Sequence, residues 1–427
     1  MRINEQMHTI GSDVVRRVRG AFHLLSKRMM LSLCWLAYTA AYLARSGISA
    51  GYPTLALHYG TNEAWLGAVG SAFFAAYAIG QLVNGFLGDR VSPARFVLLS
   101  MVGSTAVYAL ILTVDNAAIL PWLWGLNGVF LSMLWGPMLR LLCMRFSHAR
   151  KETLAVLMGT APVGGYCLGW LVLAPAVPTW GWQAVFIAPL ALTALLIPLW
   201  AWLSRGSQAC ESQGWSQIRR SPVDTLRYIH QHGLWRLVLT SLCLGLVKEN
   251  LALLLPALFV GFLGTRPQDA AWLLVLSPLA HLTGLLLGQV LKRPLIRKPA
   301  PSLAATFGGM AVSCAGLVLF GGDAGVAFAA IFAITALAYL GSCIQISYIP
   351  LAHVGQNMLS TLVGLFDFSN YIGAALASAL LGELLAEGRL IETTGIWLGV
   401  CLLAAVLALG QAKQDKARDK GKMVKSQ

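Results

Sequence analysis

The sequence predicts an all-α membrane protein of about twelve transmembrane helices arranged as two pseudo-symmetric six-helix halves. Three observations lead there. Of 427 residues, 57% are hydrophobic and 11% charged, against about 25% charged in soluble domains, and mean hydropathy is +0.69. Apolar runs of about 20 residues, each enough to cross roughly 30 Å of hydrocarbon as helix, recur on both sides of a polar stretch from Ser204 to His232. Finally, the chain repeats itself: Arg45 and Lys248 are 203 positions apart, and so are Pro53 and Pro256, Gly85 and Gly288, and Arg90 and Arg293. None of the runs alternates as a membrane β-strand would.

Charge sets the expected orientation. Of the 31 Lys and Arg, 26 fall on one face of this topology and only Arg266 and Arg389 on the other; Arg45, Arg140 and Lys248 fall inside apolar runs. Positive charge marks the cytoplasmic side, so both termini and the central loop are expected there, in a multi-pass protein of a bacterial inner membrane. The net charge of +14 is on this reading topological and gives no reason to expect nucleic acid. The expected partners are the lipid bilayer and a small anionic substrate, with the chain a monomer.

Taken in order, residues 1–28 form a basic cytoplasmic segment, in which Asp13–Met30 reads as an amphipathic helix on the membrane surface. Residues 29–203 form the first half, 204–234 the central loop, 235–410 the second half and 411–427 a basic tail. No cleavable signal is expected, since the first apolar run carries Arg45 and many spans follow. The first span, within Leu31–Ala50, places Trp35, Tyr38, Tyr42 and Arg45 on one face by their spacing of three and four. Two hydroxyls and a guanidinium on one stripe suit an oxyanion. The seventh, within Leu234–Leu258, carries a comparable stripe of Ser241, Gly245 and Lys248. A cation inside a membrane helix costs roughly 2.5–3.5 kcal/mol on the insertion scale and is a functional candidate by default. Two at equivalent places suggest one anion site shared between the halves.

Glu249 follows Lys248, so their side chains leave the helix about 100° apart and are not expected to pair. Glu249 then meets another half-buried group or carries a proton. Asp367 shares a face with Asn370 and Tyr371 in the eleventh span and is a substrate contact, a counter-ion for Lys248 or a proton site. Arg140, nearer the cytoplasmic end of the fourth span, is read as a gating or structural pairing. His281 in the eighth reads as a packing residue, and Gly164, Gly165, Gly169 and Gly373 read as positions of close helix approach. The eight cysteines are scattered without metal or redox spacing, and no Walker loop, HExxH or Gly-x-Ser-x-Gly element is present. No cofactor, metal or enzymatic activity is expected.

The run Gly85-Phe-Leu-Gly-Asp89-Arg90, with Arg95 beyond it, resembles the loop 2–3 signature of the major facilitator superfamily, where it latches the two halves; the family's second glycine is replaced by Ser92 or Pro93. Tyr42-Leu-Ala-Arg45, Trp135-Gly-Pro-x-x-Arg140, Val163-Gly-Gly165 and Gly364-Leu-Phe-x-x-x-Asn-Tyr-Ile-Gly373 resemble the organophosphate:phosphate antiporters. That resemblance implies a cation in each of helices 1 and 7 gripping a substrate phosphate at the midplane. Arg45 matches the first, and Lys248 stands where the family has a second arginine. Gln81 replaces the helix 2 lysine, and the helix 5 histidine falls at Ala161.

The reading is a transporter that exchanges a phosphate ester for inorganic phosphate by alternating access around Arg45 and Lys248, with Tyr38, Tyr42, Gln81, Trp135, Asp367, Asn370 and Tyr371 lining the site. Exchange would follow if the two bare cations, repelling each other, disfavoured closure of the empty carrier. A proton-coupled organic-anion symporter using Glu249 or Asp367, and a non-transporting sensor of a phosphorylated ligand, are the alternatives.

Overall fold

The protein is described by a computed structural model covering residues 2–88, 91–146, 154, 157–204, 227, 229–231, 233–264, 276–349 and 359–425. Every regular element among them is helical. Asp89 and Arg90 of the expected latch lie outside the described residues.

The first half contains α1 (Arg2–Tyr59), α2 (Glu63–Gly88), α3 (Pro93–Val114), α4 (Leu120–Leu131), α5 (Trp135–Arg145), α6 (Ala161–Cys167), α7 (Ala174–Trp180) and α8 (Ala184–Ser204). The second contains α9 (Trp235–Leu263), α10 (Leu276–Val290), α11 (Lys292–Arg297), α12 (Pro299–Phe320), α13 (Ala324–Cys343), α14 (Leu359–Ala386) and α15 (Leu390–Lys425). Nine described helices are long and apolar enough to cross a membrane outright. Two of the other crossings carry local reasons for falling short, and α10 is described over only 15 residues. The polar residues of α1, Arg45 included, dilute its apolar run. The fourth crossing is divided into α4 and α5 at Ser132–Leu134, where Pro137 has no N–H to offer the Met133 carbonyl. Two crossings are wound wider for one stretch, at Leu168–Leu173 between α6 and α7 and at Ile344–Tyr348 after α13; such π-turns are frequent at functional sites.

One expectation about α1 is corrected. The surface helix Asp13–Met30 and the first span are a single unbroken helix, because no glycine, proline or capping residue between Ser26 and Leu31 gives the chain a reason to turn.

The expected glycines are places of close approach. A Cβ on Gly164 would lie 2.9 Å from the Trp35 ring, and one on Gly165 2.7 Å from the Thr39 carbonyl; Gly169 abuts Ser46, and Gly373 the Leu242 carbonyl. Ser241 and Gly245 belong with these. Ser241 donates to the Phe366 carbonyl at 2.7 Å, and Gly245 lies flat against the Asn370 carbonyl. Their stripe therefore packs α9 on α14 and does not line a cavity, which corrects the comparison with the first span.

The halves meet along two seams. In the first, Ser49 of α1 donates to the Ala252 carbonyl at 3.2 Å and the Leu253 carbonyl at 2.5 Å in α9. Pro256 cannot hydrogen-bond the Ala252 carbonyl four residues back, so the serine supplies the missing donor. Ser49 and Ala252 are themselves 203 positions apart, so the pseudo-two-fold axis passes near this contact. In the second seam, Ser71 of α2 donates to the Ala375 carbonyl at 2.8 Å and accepts from the Ala379 N–H at 3.0 Å in α14. Here Gly67 lies against Gly382 and the Ser378 carbonyl. This seam lies toward the face opposite the chain ends, where α1 turns into α2 and α14 into α15.

Candidate functional site

Where the seams converge, three buried charges form one cluster. Arg45 Nη2 lies 2.8 Å from Glu249 Oε2, and Lys248 Nζ lies 2.8 Å from Glu249 Oε1. The side chains of Arg45, Lys248 and Glu249 are 8%, 9% and 4% exposed, low enough that water screens the pairs little. Asn370 Nδ2 donates to Glu249 Oε1 at 3.3 Å, and Arg45 Nη1 donates to the Tyr371 hydroxyl at 3.0 Å. Arg45 comes from the first half and the other four from the second, so the cluster itself joins the halves.

The pairing of Lys248 with Glu249 overturns the expectation that neighbours 100° apart stay separate. The angle governs where the Cβ atoms point. Beyond it, a four-carbon stem and a two-carbon stem have reach enough to swing together toward Arg45, where compensating charge is available. In a medium of low dielectric, leaving either charge alone costs far more than the bent stems. The two cations are accordingly not bare: Glu249 bridges them and offsets one of their two positive charges, where the sequence suggested that they face each other uncompensated.

Aromatic rings surround the guanidinium. The Arg45 Cζ atom lies 4.8 Å from the Tyr42 ring centre, 5.4 Å from Phe73, 5.7 Å from Tyr77 and 5.4 Å from Tyr371, distances at which ring faces attract a cation. Tyr38 packs on Tyr42 at 5.1 Å and on Trp135 at 5.0 Å, just past the break between α4 and α5. Gln81 is one turn farther along α2 and donates to the Tyr77 hydroxyl at 2.9 Å. Lys248 has its own ring, Tyr339 of α13, at 5.4 Å. A narrow cleft, with room for about a single water, lies beside Lys248, bordered by Leu255, Ser277, Thr335 and Tyr339.

The stripe Tyr38, Tyr42 and Arg45 thus converges with Lys248, Asn370 and Tyr371, and Trp135 and Gln81 reach it through Tyr38 and Tyr77. Asp367 is half-buried and makes no ion pair among the described residues; Glu249, not Asp367, is the counter-ion of Lys248. Gly85 closes no part of the cluster, being near the end of α2, and Arg140 lies beyond the break in α5. His281 is buried as expected of a packing residue, stacked on Tyr339 and edge-on to Tyr166. Phe73, Tyr77, Tyr166 and Tyr339 were not anticipated. Phe73, Tyr77 and Gln81 do recur every four residues, which places them on one face of α2 and was the available signal.

A family model described as Major Facilitator Superfamily matches residues 34–378. Over 158 residues the chain is 27% identical to a probable hexose phosphate transport protein of Chlamydia trachomatis, covering 36% of this chain and 34% of that one. The chain thus aligns with about a third of the length of the curated relatives it matches first. It is 24% identical over 406 residues to a human voltage-gated purine nucleotide uniporter, covering 89% of this chain and 88% of that one. Its fold is similar to the crystal structure of a bacterial homolog of the human lysosomal transporter Spinster in an inward-facing, unoccupied conformation, with a TM-score of 0.69 at 15% identity over 91% of this chain and 97% of that one.

Proposed function

The chain belongs to the major facilitator superfamily, and we propose that it is a secondary active transporter of a small organic anion, with a phosphate ester as substrate and inorganic phosphate as counter-substrate. The observation that carries this reading is that cations from the two halves, Arg45 and Lys248, close on the two oxygens of a single carboxylate. A carboxylate offers two oxygens at this spacing, and so does a phosphate. The planar fork of Arg45 suits two of the phosphate oxygens, and Lys248 supplies a point charge to a third. Exchange follows from two anions competing for one pair of cations at the meeting place of the halves, which rock about it. The orientation with both termini in the cytoplasm of a bacterial cell is part of this proposal and is supported by the distribution of Lys and Arg.

A second reading, uptake of the anion together with a proton, is favoured by one observation: the group holding both cations is a titratable side chain of the protein. Counterflow into liposomes loaded with inorganic phosphate, screening phosphate esters beside carboxylates, tests the proposal. Accumulation of one or more esters is expected. Uptake confined to carboxylates would contradict the substrate class, and binding without flux would favour a sensor.

A further inference from the structure

We propose that Glu249 is a built-in stand-in for the substrate's anionic group: it holds Arg45 and Lys248 in the empty carrier, and the substrate takes the two cations over as Glu249 accepts a proton. The inference rests on the reading of Arg45 and Lys248 as the anion site.

Three observations carry it. The first is stoichiometric. Each oxygen of Glu249 serves one cation, at the same distance of 2.8 Å, so the carboxylate occupies the bridging position between the two cations that an incoming oxyanion gripped by both would take. The second concerns symmetry. The cations are related by the 203-residue repeat, but the carboxylate is not: the position equivalent to Glu249 is Ser46, whose hydroxyl is turned to the Leu43 and Gly165 carbonyls. One half alone contributes the negative charge that both halves share. The third concerns the surroundings of Glu249 once displaced. From α1 it faces Arg45, from α9 Lys248, from α14 Asp367, Asn370 and Tyr371, from α6 Tyr166 and from α13 Tyr339; His281 of α10 stands behind Lys248. Arg45 and Lys248 are the cations on that list, and a bound anion engages both. A displaced Glu249 therefore keeps its charge with no cation of its own in a buried place, or takes a proton from solvent and becomes a neutral acid; burial favours the neutral form.

The charge count closes. Empty, Arg45, Lys248 and Glu249 sum to one positive charge. With a monoanion on the cations and a proton on Glu249, the sum is again one positive charge, so a cluster that tolerates burial in one state tolerates it in the other. Two consequences follow. One proton enters with each anion, which makes the apparent affinity fall with rising pH. The empty carrier, its cations already bridged by Glu249 and its net charge the same as when loaded, is able to switch, so exchange is permitted but not obligatory.

The test uses the full-length protein in liposomes, with radiolabelled inorganic phosphate as probe. Exchange and net efflux into phosphate-free medium are measured from pH 5.5 to 8.5 and corrected for the ionisation of phosphate itself. The wild type is expected to show net efflux as well as exchange, with half-saturation rising about tenfold per pH unit where Glu249 is ionised, the slope of one linked proton. Glu249→Gln removes both the competitor and the titration. Half-saturation should fall at least tenfold and lose its pH dependence, and net efflux should drop at least tenfold relative to exchange. An unchanged slope and an unchanged ratio of efflux to exchange would overturn the inference, as would loss of phosphate binding in a folded Glu249→Gln protein. Should that variant fail to fold, Glu249→Asp is the second probe. Its shorter stem cannot span both cations, so phosphate should bind more tightly with the pH slope retained, and unaltered affinity would overturn the inference. Absence of flux in the wild type itself would sink the phosphate reading and this inference with it; normal wild-type flux with indifferent Glu249 variants would sink this inference alone.

Discussion

Closure of the face opposite the chain ends rests on the seam between α2 and α14, and Ser71 is the place to weaken it by a known amount. Its hydroxyl makes two hydrogen bonds across the halves, at 2.8 and 3.0 Å. A hydrogen bond contributes about 0.5–1.5 kcal/mol net. Ser71→Ala should therefore cost the closed arrangement about 1–3 kcal/mol, a factor of about 5–160 in its population relative to the open one. Gly67→Leu is the stronger form of the same perturbation. Any Cβ there meets the Ser378 carbonyl and comes within 3.0 Å of the Gly382 Cα, both backbone atoms with little freedom to yield. Spin labels at Asn62→Cys and Glu387→Cys, which flank the seam, would read the distance between the halves in a background freed of the native thiols. The unmodified seam should give a dominant short distance. Ser71→Ala should move a measurable fraction to a longer one, and Gly67→Leu should remove the short distance altogether. A distribution unchanged by both substitutions would refute the assignment of closure to this seam.

Two further outcomes follow from the same packing and charge. Gly245→Ala should lower thermal stability by about 1–3 kcal/mol, the usual cost of overpacking, because the new methyl group falls on the Asn370 carbonyl; a melting temperature equal to the wild type would show that α9 and α14 separate there without cost. Asp367→Asn should leave phosphate exchange and its pH profile largely intact, because Asp367 holds neither cation while Glu249 holds both; a flattened pH profile in that variant would transfer the coupling role to Asp367.

The fold was legible because membrane burial writes itself into the sequence in long apolar runs, and the repeat could be seen because Arg45 and Lys248 share charge, depth and a following proline. The same offset identifies Ser49 and Ala252 as equivalents, although their contact across the pseudo-two-fold could not be read without the fold. Glu249 was misread for a definite reason. Helical periodicity describes where side chains start, and charged side chains in a poor solvent for charge go wherever their partners are. The rings of Phe73, Tyr77 and Tyr339 were hidden for another. In a chain with 10% aromatic residues, a ring that faces a cation and one that faces lipid are spelled alike, and only the packing of α2 and α13 separates them. Ser241 and Gly245 show the converse, a stripe that looked like cavity lining and proves to be a surface for close helix contact.

The central claim is that Arg45 and Lys248 act together on one anion, and a double-mutant comparison tests it most directly. Uptake of the best phosphate ester from the counterflow screen would be measured for the wild type, Arg45→Ala, Lys248→Ala and the double variant, each checked for insertion and folding. Because an anion bridging two cations loses its grip when either is gone, each single variant should reduce uptake at least a hundredfold. The double variant should be scarcely worse than either single, a departure from additivity characteristic of residues that share a partner. Near-normal uptake in both single variants, or losses that simply multiply in the double, would contradict a shared site.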